Sequence, residues 1–114
     1  MTIQTEELGS TILAILHLYP DGKGAGTMAD WCNRIGHKCL ERPTEAETVA
    51  ALTRLRDEDL VRLINYSRAP WWEYVKGETI DERAFFYTGS FSVITTDKAR
   101  YEVPISLIGF RQSA

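Results

Sequence analysis

A chain of 114 residues is the size of one domain and can bury a single core without disulfides or a metal. Its 44% hydrophobic and 25% charged residues are those of an ordinary globular protein, and no apolar run nears the roughly 20 residues that span a bilayer. A net charge of −3 argues against a strongly basic nucleic-acid protein, whose pI usually lies above about 9.

The first element is TEELGSTILAILHLY, with Thr5 as N-cap and Glu6 and Glu7 in the first turn, where the helix dipole favours acids. Leu8, Ile12, Ile15, Leu16 and Tyr19 recur at helical spacing and mark a core-facing stripe. PDGKGAG, residues 20–26, then breaks the helix. A second helix begins at Thr27, with Asp30 as its capping partner. Met28, Trp31, Cys32 and Ile35 form its apolar face, and Gly36 suits the C′ position that ends it.

Cys32, His37 and Cys39 offer three potential ligands, one short of the usual structural zinc set. The cysteines read as one packed on a helix and one in a turn, so no metal and no cofactor are expected.

Pro43-Thr44 opens the third helix, and Thr44-x-x-Glu47 is a capping box ahead of an apolar-periodic run. Val49, Leu52 and Leu55 are expected to face inward, with Glu47, Ala50, Ala51 and Arg54 opposite. Glu45 and Glu47 have a local role, stabilising the helix N-terminus by roughly 0.3–1 kcal/mol each.

From Leu60 the period changes to two. LVRLINY reads as a strand, and WEYVK, RAFFYTG, FSVITT and ARYEVPISLIGF as further strands. Lys76-Gly77 and Thr88-Gly89-Ser90 are natural turns, and Pro104 places the last strand at an edge or a bulge. The chain is therefore one α+β domain over 1–114, helical over 1–59 and β over 60–114. Trp71 and Trp72 are adjacent, so in a strand they point to opposite faces and cannot both enter one core.

Three helices followed by a strand and hairpins is the order of a winged helix-turn-helix domain, and two stretches carry that resemblance. TMADWCNRIG resembles the positioning helix, with Ala29 as the small residue that lets helices pack closely. AALTRLRDEDLVRL resembles the end of a recognition helix running into the first wing strand. In bacterial regulators of the MarR and PadR type this place reads aliphatic-x-x-Leu, polar residues, a glycine, then Leu-Val or Leu-Ile. Leu52, Leu55, Leu60 and Val61 match, while Asp59 stands where the glycine is usual. The resemblance covers about residues 5–66.

It implies a winged helix with an elaborated antiparallel β wing, acting as a small cytoplasmic transcription regulator that binds double-stranded DNA as a homodimer. Thr44 and its helix N-terminus would approach a phosphate, and Thr48 and Arg54 would contact the groove. Arg42 would lie at the entry, with Arg68, Lys76 and Arg83 available from the wing. The leading turns of the third helix hold acids where base readout needs donors.

The rival reading is a winged helix used for protein–protein contact, as an accessory subunit or a phage or mobile-element protein that binds no DNA. Ala50, Ala51, Trp71, Trp72 and Tyr74 would then meet the partner, tryptophan and tyrosine being favoured at such contacts. An enzyme is not expected: His17 reads as an end-of-helix residue, and Asp57-Glu58-Asp59 as a solvated turn. With no basic stretch and apolar core at its start, MTIQTEELGS does not read as a secretory signal, leaving the cytoplasm as the expected location.

Overall fold

Caps and apolar stripes set the helical half. The computed structural model describes residues 5–18, 24–38, 42–67, 70–79 and 81–102. Helix α1 spans Thr5–Leu18, α2 Met28–Lys38 and α3 Glu45–Asp57. At the start of α2, Thr27 N–H donates to the Asp30 carboxylate at 3.0 Å and Asp30 N–H to the Thr27 hydroxyl at 3.2 Å. The same exchange links Thr44 and Glu47 at the start of α3, at 2.9 and 3.1 Å, so both boxes satisfy N–H groups the helix leaves orphaned.

Among the described residues four antiparallel strands complete the fold: β1 (Ala25–Gly26), β2 (Val61–Asn65), β3 (Trp72–Glu73) and β4 (Phe91–Thr95). The order across the sheet is β1-β4-β2-β3. The central pairing sets Val61 opposite Thr95, Leu63 opposite Val93 and Asn65 opposite Phe91. β1 sits close against β4: Gly24 accepts a 2.7 Å hydrogen bond from Val93 N–H, and a Cβ there would lie 2.4 Å from the Val93 carbonyl oxygen. Only glycine fits that approach.

The core joins both halves. Leu8, Ile12 and Ile15 of α1, Met28, Trp31 and Ile35 of α2, Leu52 and Leu55 of α3, and Leu63 and Val93 of the sheet are buried in one cluster. At its β end lies an aromatic group in edge-on contacts, Phe85–Phe86 and Phe86–Phe91 each at 5.1 Å between ring centres. Such edge-to-face pairs add to what area burial provides. Among the described residues no helix is long and apolar enough to cross a membrane.

Several expected elements differ. RAFFYTG is not a strand but helix α4, Glu82–Tyr87. The Asp81 carboxylate caps it by accepting from Ala84 N–H at 3.1 Å, and helical geometry lets the neighbouring Phe85 and Phe86 both be buried. WEYVK is paired only over its first two residues. The start of ARYEVPISLIGF lies in helix α5, Asp97–Glu102, where the Thr96 hydroxyl accepts from Ala99 N–H. Its remainder, with Pro104, lies outside the described residues.

Gly36 is not a C′ residue, because α2 continues to Lys38. Its lack of a side chain admits Arg42, whose Cβ would be 3.1 Å from a Cβ at position 36. Ala29 is exposed, so it is not the small contact residue between helices.

At the end of α3, Asp59 has φ +60°. Asp59 N–H donates to the Arg56 carbonyl at 3.0 Å and Leu60 N–H to the Leu55 carbonyl at 2.9 Å, which is the double closure of a Schellman motif. The aspartate thus occupies the left-handed position that glycine usually holds.

Candidate functional site

The outward face of α3 and the loops and helix beyond it are where the expected contact residues fall, and burial sorts them first. Thr44 and Glu47 occupy each other's side chains in the capping box. Thr48 is 0% exposed. Its hydroxyl donates to the Thr44 carbonyl at 3.0 Å and lies 3.4 Å from Cys32 Sγ, so it closes the first turn of α3 and cannot reach a DNA groove. The same pocket pushes the Cys32 thiol up by burial, the Thr48 hydrogen bond opposing.

Ala51, 1% exposed, is likewise core rather than a contact surface. The buried stripe of α3 is Thr48, Ala51, Leu52 and Leu55, and Val49 is only partly covered. Ala50 and Arg54 do face water.

Three of the cations expected to meet phosphate have partners within the fold. Arg54 Nε is 3.0 Å from Glu58 Oε1, one helical turn away, and Lys76 Nζ is 3.7 Å from Asp59 Oδ2. Arg42 Nε donates to Asn33 Oδ1 at 3.0 Å, tying the entry of α3 to α2. Exposed pairs of this kind contribute only about 0–1 kcal/mol and can be exchanged for other partners. Arg83 is exposed on α4. Arg68 lies outside the described residues, as does Cys39.

The two tryptophans part company as their adjacency requires. Trp72 is half-buried, edge-on to Phe85 at 5.3 Å. Trp71 is 70% exposed and stands edge-on to Tyr66 at 4.9 Å, a residue sequence reasoning passed over. Tyr74 is not a contact residue: it is 5% exposed, and its hydroxyl donates to Glu82 at 3.0 Å. Burial, with Glu82 adding, holds its phenol above the usual range, while Arg56 opposes.

Arg56, also unflagged in the sequence, lies buried with its guanidinium 3.5 Å from the Tyr74 ring centre and bonded to Asp57. Burial works against its charge, but Asp57 and Tyr74 outweigh that and raise its pKa. Its Nη1 has no hydrogen-bond partner.

Asn65 is the other polar residue built into this region. Its amide donates to the carbonyls of Phe85 at 2.8 Å and Thr88 at 3.0 Å, and its oxygen accepts from Ser67 N–H. One buried side chain therefore closes the C-terminal end of α4 and fastens it to β2. A polar residue late in an alternating strand was the only sequence signal.

Between α3 and α4 runs an open groove of about 540 Å³. Ala46, Val49 and Ala50 come from one face of α3, and Asp81, Glu82, Arg83 and Tyr87 from α4 and its cap. Tyr87, a lining residue from α4, has Glu45 of the first turn of α3 within electrostatic range. Its phenol is raised by burial first and by that glutamate second. The sequence signal for helix α4 alone was Asp81-Glu82, a cap and first-turn acid ahead of an apolar pair.

Compared with known proteins, the chain matches no protein-family model, no curated protein and no solved structure.

Proposed function

We propose that the chain is a winged-helix module that docks on a protein partner and does not read DNA. The winged-helix part of this reading is supported by three helices leading into an antiparallel sheet, with β3 and α4 elaborating the wing between β2 and β4. Fold alone does not decide function, so the weight falls on the exposed face of α3.

The observation that carries the reading is the chemistry of that face. A DNA-reading helix presents donors to base edges and cations or N–H groups to phosphates. Here Ala46, Val49 and Ala50 line a groove walled by Asp81 and Glu82, with Arg83 the single cation among the lining residues. The acids Glu45 and Glu47 lie in the helix's first turn. Phosphates brought there meet carboxylates, whereas an apolar surface rimmed with charge suits a protein partner. The exposed Tyr66–Trp71 pair supplies a second surface of the aromatic kind that protein contacts favour.

Fluorescence anisotropy of random-sequence duplex DNA at about 50 and 200 mM salt tests the reading. No binding at either concentration is the expected result. Binding that weakens steeply with salt would reveal phosphate contacts and counterion release, and the regulator reading would replace this one.

A further inference from the structure

We infer that the α3–α4 groove takes a basic, amphipathic segment of a partner protein, an aliphatic side chain resting on Ala46 and Ala50 and a lysine or arginine meeting the acids of the rim. The inference rests on the docking reading above and names the partner's chemistry. Its first support is shape. Ala46, Val49 and Ala50 sit at i, i+3 and i+4, so they share one helical face, and the two alanines leave depth that larger residues would fill. Helix-in-groove recognition uses such a floor with anchors at the same spacing.

The second support is charge. Asp81 and Glu82 stand on the α4 wall, two carboxylates against the guanidinium of Arg83. Asp81 uses Oδ1 on Ala84 N–H, and Glu82 uses Oε1 on the Tyr74 hydroxyl. A carboxylate offers about four acceptor sites over two oxygens, so each can still receive a cation. A second copy of this chain is a poor occupant, because the protein is itself acidic at −3.

The test uses the full chain and a fluorescein-labelled synthetic peptide of about 14 residues with leucines on one helical face and lysines on the other. A scrambled peptide of equal composition lacks the apolar stripe. Ala50→Lys fills the floor at an exposed position with a good helix former. Asp81→Asn combined with Glu82→Gln removes two charges while keeping the cap and the acceptor for Tyr74.

By anisotropy, the striped peptide should bind about tenfold tighter than the scrambled one. Ala50→Lys should weaken it by about tenfold or more. The double variant should weaken it several-fold and flatten its salt dependence. Equal binding of both peptides, or an Ala50→Lys variant that binds as well as the parent, would mean attraction to overall acidity and overturn the inference. So would no peptide binding at all, or a dimer by sedimentation that Ala50→Lys dissolves, which makes a second copy the occupant. Duplex DNA in the same assay separates the two levels: salt-sensitive DNA binding refutes the docking reading itself, whereas failure of the peptide without DNA binding refutes only the groove.

Discussion

Asp59 offers a sharp test of how α3 ends. At φ +60° an L-residue carries a penalty of roughly 1–2 kcal/mol from its Cβ, reduced for aspartate and absent for glycine. Two substitutions separate backbone from charge. Asp59→Gly and Asp59→Ala both delete the carboxylate and the exposed contact to Lys76 at 3.7 Å, so that loss cancels between them. What remains is the left-handed penalty borne by alanine, less about 0.4–1 kcal/mol for the greater freedom of glycine in the unfolded chain. The glycine variant should therefore be the more stable by about 1 kcal/mol. For a chain of this length that is a gap of about 3–6 °C in Tm. Urea unfolding followed by circular dichroism measures it, with equal m values confirming that only stability has changed. Equal stability of the two variants would mean that position 59 is not left-handed in solution, and the Schellman closure of α3 would go with it.

Other side chains give further tests. Asn65→Leu leaves the carbonyls of Phe85 and Thr88 without their buried donor, and should cost about 3 kcal/mol in urea unfolding. A loss under about 1 kcal/mol would show that the amide does not hold α4. Trp71→Ala should change stability by no more than about 0.5 kcal/mol, whereas Trp72→Ala, which strips the contact with Phe85, should cost about 2 kcal/mol; similar costs would contradict the split between the pair. The Asp30 carboxyl is held below its ordinary value by the Thr27 N–H, then by the Thr27 side chain, with Arg34 adding. Its contribution is therefore complete above the unfolded-state pKa near 4 and disappears as pH falls through the lower folded value. The stability gap between the parent and Asp30→Asn should narrow below about pH 4 in acid titrations, and a constant gap would remove the ionised cap.

The helical half was legible because its signals are local. Thr27 with Asp30 and Thr44 with Glu47 fall within single turns, and both boxes form as expected. Of the expected inward stripe of α3, Leu52 and Leu55 are buried and Val49 is partly covered, while Thr48 and Ala51 were not expected there. Residues 49, 52 and 55 drift around the helix, while 48, 51, 52 and 55 follow the i, i+3, i+4, i+7 pattern of one face. That stripe was hidden because a threonine and an alanine carry little hydrophobic weight. In the β half, aromatic residues raised strand propensity over RAFFYTG, and tertiary burial of adjacent phenylalanines overrode it. The six residues of α4 are too few for periodicity to declare a helix, leaving Asp81 as the sole clue. The groove was not legible at all. Its two walls are more than thirty positions apart in the sequence, and only the misread α4 brings them together.

That pairing changes the meaning of the acids that first weakened the DNA reading. Glu47 accepts from Thr44 N–H at 2.9 Å, so its carboxylate serves the capping box, a local task that leaves function open. Asp81 and Glu82 differ, because they stand across the groove from Ala46 and Ala50 only once α4 has docked. A helix entering a DNA groove needs its outward face clear, yet here the outward face of α3 shares a groove with α4. Phosphates approaching that face would meet both carboxylates, with Arg83 the one cation among the lining residues. A partner that brings its own cations to the rim would meet no such repulsion, which is the ground on which docking of a basic protein segment is proposed over nucleic acid.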